Sequence, residues 1–205
     1  EIRFLFQPSE ERWDDEGKSG ATRMIEDGAV EGLDAVISIH VNGTIDRGQV
    51  ALTDGYALAN SDRLMAQVIG VGGHGAMPHA ARDPIFMMAP ILTALHGIVS
   101  RRVKPIEPAV VTVGYMAAGE AANVIPGEVE LGLTLRSLSS EVREQLFVEV
   151  EQALSIARAM GGDYEMEVER GYPALYNDPT VTGWIRDMAI EMLGPENVEE
   201  KEVSM

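Results

Sequence analysis

The chain has 205 residues, 45% hydrophobic but only 5% aromatic, so aliphatic side chains and 11 Met are left to fill its core, and the length suits one large domain or two modest ones. A formal net charge of −17 argues against nucleic acid as a partner, because phosphate binding depends on clustered Lys and Arg. No apolar run approaches the roughly 20 residues that span a bilayer, which reads against a membrane, while the absence of Cys excludes disulfides and thiolate chemistry within the chain and fits a reducing, cytoplasmic setting.

Residues 2–6 read as a short buried strand, rich in aromatic and branched side chains, and Pro8 ends it. Glu10 and Glu11 follow at the strand's C-terminal end, where open α/β sheets place their ligands. Adjacent carboxylates repel unless a cation or a proton compensates them. The pair therefore suits a site in which one acid binds a metal and the other moves a proton. The competing reading is a solvated acidic turn, since Asp14, Asp15 and Glu16 come next. Residues 19–27 predict a short helix closed by Gly28. Residues 35–39 predict a second buried strand with His40 at its end, and residues 49–53 a third. Two carboxylates and an imidazole at neighbouring strand ends favour a metal, against the ordinary reading of a lone structural His.

From about Ser61 the pattern changes. Residues 64–69 predict a strand, followed by a glycine-rich loop over 70–79 that carries His74 and His79. Asp83 caps a helix that begins at Pro84, with Ile85, Met88, Ala89, Leu92, Leu95 and Val99 inward and Pro90 expected to kink it. Residues 109–117 form a Val-rich strand. In residues 128–136, Val129, Leu131, Leu133 and Leu135 alternate with Glu128, Glu130, Thr134 and Arg136, a strand with one wet face. Ser140 is the expected cap of a second helix lined by Val142, Leu146, Val150, Leu154 and Ala157. Residues 163–170 alternate again, with Tyr164, Met166 and Val168 inward. That order is βαββαβ, two helices on one face of an antiparallel sheet. Thr180 is the expected cap of a last helix with Val181, Trp184, Ile185, Met188, Met192 and Leu193 inward.

Six segments occur in a fixed order: FLFQPSEE (residues 4–11), SIHV (38–41), GGHGAMPH (72–79), Asp83-Pro84, NVIP (123–126) and TLRS (134–137). Together they resemble the two-metal amidohydrolases of the aminoacylase and carboxypeptidase superfamily. The branch they resemble most holds hippurate hydrolase, N-acyl-L-amino-acid amidohydrolase and auxin-conjugate hydrolase. The resemblance implies an α/β catalytic domain of the zinc-peptidase kind, represented by residues 1–60 and 172–205. Residues 61–171 would be an inserted βαββαβ, ferredoxin-like lid and dimerisation domain. It implies metal-dependent hydrolysis of the amide bond of N-acyl-L-amino acids, with two divalent ions (Zn, Mn, Co or Ni), in a homodimer joined through the lid. By the same resemblance Glu10 is the general base, and Glu11 and His40 are metal ligands. His74 reaches the partner subunit's site to stabilise the oxyanion, Asn123 lies near the substrate, and Arg136 receives its carboxylate.

The family pattern also has an N-terminal His and Cys and a C-terminal His among its metal ligands, and this sequence contains none of the three. The chain is therefore expected to be the middle of a longer protein, inactive by itself and without a complete metal site. Two further readings are a catalytically incompetent dimerisation or binding module of this descent, and a dipeptidase or carboxypeptidase of the same superfamily. An RNA-recognition sheet is disfavoured, because the wet strand faces carry Glu128, Glu130, Glu165, Glu167 and Glu169 in place of stacking aromatics.

Overall fold

In a computed structural model that describes residues 2–10 and 12–205, the chain divides into two units, Glu1–Asp46 and Arg47–Met205. The first unit carries one helix, α1 (Gly20–Glu26), whose N-cap Ser19 accepts a hydrogen bond from the Thr22 amide. Residues 2–6 and 35–39 carry no regular secondary structure, and neither is paired in a ladder, contrary to the sequence expectation. Their apolar side chains stand in solvent: Phe4 is 79% exposed, Phe6 86% and Ile39 94%. The reason is physical. A strand satisfies its backbone only beside another strand and hides its side chains only beneath a covering layer. Among the described residues these two segments have neither. Arg3 ties the segment back by donating to the Ala29 carbonyl at 2.8 Å. An open cleft of about 600 Å³ is lined by Leu5, Met24, Ile25, Val30, Leu33 and Val36, among others.

The second unit contains, in chain order, β1 (Val50–Leu52), β2 (Gly55–Leu58), β3 (Asp62–Ile69), β4 (Gly73–His74), α2 (Pro84–Arg101), β5 (Ala109–Ala117), β6 (Val124–Ile125), β7 (Glu128–Ser137), α3 (Ser140–Leu154), α4 (Ile156–Ala159), β8 (Asp163–Glu169), β9 (Leu175–Asn177), α5 (Pro179–Leu193) and β10 (Val198–Glu200). Its centre is an antiparallel four-stranded sheet in the order β5-β7-β3-β8. The two-residue period puts Leu64, Ala66 and Val68 of β3 and Val129, Leu131, Leu133 and Leu135 of β7 on one face, all buried. Met87, Met88, Ile91, Leu95 and Ile98 of α2 meet them, with Val142, Leu146, Val150 and Leu154 of α3, in one continuous core. This is the βαββαβ order read from the sequence.

Details differ. In α2 Ile85 and Ala89 are exposed and Met87, Ile91 and Ile98 take the inner face. Pro90 does not break the helix. It lies on the solvent side with Phe86, whose carbonyl it leaves without an intrahelical donor. By length and composition α2 would cross a bilayer, but its buried face is committed to the core. The caps are also shifted by one or two residues: Ser139 rather than Ser140 caps α3, and Asp178 rather than Thr180 caps α5.

Outside the sheet, β1 pairs with β10 in parallel and β2 with β9 antiparallel. Tyr56 and Tyr176 make a T-shaped pair across the latter ribbon, with ring centroids 5.1 Å apart. Arg186 of α5 reaches Asp54 at 3.1 Å and Glu200 at 2.7 Å. The face of α5 expected to be inward is open instead: Thr182 and Ala189 are buried, while Trp184, Met188 and Met192 are exposed.

Candidate functional site

In the first unit, Glu10 follows a strained turn. Ser9 has φ +46°, a left-handed conformation that costs a side-chain-bearing residue about 1 kcal/mol or more and is often found where a functional group must be aimed. Glu10 is exposed and has no hydrogen-bond or ion-pair partner among the described residues. The acids that follow behave differently. Asp14 accepts from the Glu16 and Lys18 amides, both at 2.9 Å, and from Arg23 Nε at 2.7 Å. Arg23 also pairs with Glu16 at 2.9 Å. The Lys18 amide first, and Arg23 next, hold the Asp14 carboxyl below the usual carboxylate range. The acidic run therefore splits into acids that order their own loop and a Glu10 left open. Glu11, expected as a metal ligand, lies outside the described residues.

His40 is exposed, and its Nδ1 lies 2.6 Å from the Val41 carbonyl oxygen. A carbonyl only accepts, so Nδ1 carries the proton and Nε2 keeps its lone pair. That is the arrangement of an imidazole prepared for a metal. No group of three or more His, Asp or Glu close enough to hold an ion occurs among the described residues.

In the second unit, His74 and Asn123 are brought together by a short ladder. Gly73 pairs with Ile125 and His74 with Val124. The Gly75 amide donates to the Asn123 carbonyl at 2.8 Å, and a Cβ at position 75 would lie 3.0 Å from that oxygen. A side chain there would push residue 123 away by a few tenths of an ångström. The Ala76 amide donates to His74 Nδ1 at 3.1 Å, so Nδ1 is unprotonated and Nε2 bears the hydrogen. His74 is thus a donor, with the tautomer opposite to that of His40. Its ring is exposed, as is Asn123.

Arg136 is not near this pair. It sits near the other end of β7, opposite Val110 of β5, half-buried on the open face of the sheet. Arg102, Arg143, Arg158, Arg170 and Arg186 each meet a carboxylate. Arg136 has no such partner among the described residues. His79 and His96 are both on the surface.

One polar cluster was missed in the sequence. Asp62 is completely buried and accepts two bonds from Arg143, at 2.8 and 2.6 Å, one from Asn60 at 2.7 Å and one from the Gly171 amide at 2.9 Å. The signal was present: Asp62 shares the inward parity of Leu64, Ala66 and Val68.

An α/β protein with an antiparallel βαββαβ sandwich is the class these features define. The whole chain, residues 1–205, matches Peptidase family M20/M25/M40, and it belongs to that family. It is 40% identical over 191 residues to the N-acetyl-L-cysteine deacetylase of Bacillus subtilis, covering 92% of this chain and 44% of that protein. It is also 40% identical over 178 residues to the N-acyl-L-amino acid amidohydrolase of Geobacillus stearothermophilus, covering 86% and 47%. A solved structure from methicillin resistant Staphylococcus aureus superposes with a TM-score of 0.80 at 34% identity, over 96% of this chain and 50% of that one. The chain spans about half the length of the curated relatives it matches.

Proposed function

We propose that the protein containing this chain is a metal-dependent amidohydrolase that cleaves the amide bond of N-acyl-L-amino acids. The similarity to two deacylating enzymes supports this substrate class, and the histidine geometry supports this chemistry. The carrying observation is the His74 tautomer: a backbone amide occupies Nδ1 at 3.1 Å and leaves Nε2–H as an outward donor. Such a donor suits the oxygen of a carbonyl becoming tetrahedral, where negative charge develops.

In this reading His40, through Nε2, and Glu11 hold a divalent ion, one of two (Zn, Mn, Co or Ni). When bound, such ions polarise the scissile carbonyl and make water nucleophilic at neutral pH. Glu10, without a partner among the described residues, takes the proton from the attacking water and passes it to the leaving nitrogen. Asn123 contacts the substrate beside His74; Arg136, at the other end of β7 and too far to meet the same molecule from the same subunit, receives the α-carboxylate from the other copy through paired N–H donors.

Residues 61–171 form a lid that also joins two copies. Edge β8 presents Glu165, Glu167 and Glu169 and repels a second copy, whereas edge β5 (AVVTVGYMA) has no charge and is the natural place for strand pairing. His74 then serves the partner's site.

The test uses the full-length protein. Glu10→Gln should cut turnover by about 10²-fold or more with metal content retained. Glu11→Gln should lower metal occupancy. Metal loss in the Glu10 variant alone would reverse the two assignments. Mixing His74→Ala with Glu10→Gln under subunit exchange should restore activity, because a mixed dimer has one site with both groups intact. Heterodimers that stay inactive would remove the trans role of His74.

A further inference from the structure

The buried cluster around Asp62 has no part in the chemistry above, and its place in the fold gives it one. Asn60 and Asp62 lie where the chain enters the sandwich; Gly171 lies where it leaves. The two crossings touch: a Cβ at 171 would sit 1.9 Å from the Ser61 carbonyl oxygen. The Asp62 carboxylate accepts from the Gly171 amide at 2.9 Å, and Arg143 of α3, besides gripping Asp62, donates to the Gly171 carbonyl at 2.8 Å. Asn60 ties in the end of β7, accepting from the Ser137 amide at 2.9 Å and its hydroxyl at 2.6 Å. Entering chain, leaving chain, β7 and α3 are thereby bound at one joint.

From that joint β3 and β7 run side by side, in register from Asp62 opposite Leu135 to Ile69 opposite Glu128. The far end of the pair is where the chain turns into the His74 loop on one strand and comes from Asn123 on the other. The pair is a stiff lever about 25 Å long, so a rotation of about 10° at the joint carries the far end about 4 Å. An error of about 1 Å in a catalytic group can cost about 10²-fold.

We infer that Asp62 and Arg143 are positioning residues: by locking both chain crossings to the base of β3 and β7, they fix where the His74–Asn123 end of the sandwich points. Reorientation is then confined to the residues just outside the joint, between it and the β2–β9 ribbon: Ala59 on one crossing, whose amide donates to the Ser204 carbonyl at 2.9 Å, and Pro173 and Ala174 on the other. The inference rests on the proposed function for its catalytic consequence, but the mechanical part stands without it.

The experiment is a pair of variants, Asp62→Asn and the milder Ser137→Ala, in the full-length protein, each alone and combined with His74→Ala. If the joint acts through His74, each variant lowers kcat more than it raises KM in the wild-type background and has no further effect once His74 is gone. Losses that multiply with that of His74→Ala would overturn the inference, since the joint would then be acting on something else. Amide hydrogen exchange gives a readout independent of activity. Exchange at the joint's own amides, Asn60, Ser137 and Gly171, should quicken at least several-fold in Ser137→Ala while β5 stays protected; unchanged exchange there overturns the mechanical claim. If His74→Ala alone leaves turnover intact, the functional reading of His74 fails, and the exchange result still decides the joint.

Discussion

The sandwich and the first unit begin from similar sequence signals and end differently. Residues 2–6 and 35–39 are as apolar as β3 or β7, yet Phe6 and Ile39 are in solvent while Leu64 and Leu131 are fully buried. What separates them is the supply of partners. β3 has a neighbour on each side and two helices above it, all from within residues 62–169. These two segments of the first unit have no ladder among the described residues. Apolar patterning states a demand for cover; only the remainder of the fold meets it.

The largest effect that could break this contrast is a core truncation. Leu131→Ala should destabilise the chain by about 2–5 kcal/mol, since a well-packed site collapses only partly around the cavity. Phe6→Ala, at an exposed site, should stay within about 0.5 kcal/mol in the same chain. Denaturant midpoints of both variants check this. A comparable loss at Phe6 would mean that the segment is packed in solution after all, and the contrast would fall.

A smaller effect sharpens the open face of the sheet. Arg136→Ala in the full-length enzyme should lose about 1.5–3 kcal/mol against free-acid substrates, the worth of a charge-assisted contact. Matching amides or esters should suffer much less. Equal impairment of both would make Arg136 a structural residue. At the edge of the same sheet, Thr112→Lys on β5 should weaken self-association by about tenfold or more, because an edge charge opposes pairing. Concentration-dependent light scattering reads it, and an unchanged dimer would place the interface elsewhere.

Where local chemistry was sufficient, the sequence was legible. The Glu/Leu alternation of β7 announced both its faces, and Asp83-Pro84 announced the start of α2. The same Asp-Pro pair recurs at 178–179, where Asp178, not the expected Thr180, is the cap: its carboxylate accepts from the Thr180 amide at 2.8 Å. Trp184, Met188 and Met192 share one face of α5 as their spacing predicts, but that face is open and not inward, because spacing does not say what covers it. At the candidate site, the sequence proposes residues but not their states. The opposite tautomers of His40 and His74 depend on the Val41 carbonyl and the Ala76 amide, which only the folded backbone brings near. The Asp62 joint required residues 60, 62, 137, 143 and 171 to converge, and no local pattern links them.

The smallest expected effect concerns acid. Around Glu10 order depends on charge: Asp14 is held by the Lys18 and Glu16 amides and by Arg23, not by a core. Its carboxyl titrates below its ordinary value, chiefly because of the Lys18 amide and then Arg23. A depressed carboxylate contributes stability that is fully present above the unfolded pKa and lost as pH falls through the folded one. Glu144 and Asp163 in the sandwich are also lowered, by Arg170 and Arg158 respectively, so they weaken in the same range; but the strands there rest on buried Leu and Val and should persist. Lowering the pH through the ordinary carboxylate range, about 4, and below should therefore reduce the protection of the Gly17 and Lys18 amides, relative to the unstructured rate at each pH, well before β3 or β7 respond. Asp14→Asn should bring that loss of protection up to neutral pH. If the Gly17 and Lys18 amides keep the same protection throughout, the Asp14 cluster does not order the loop.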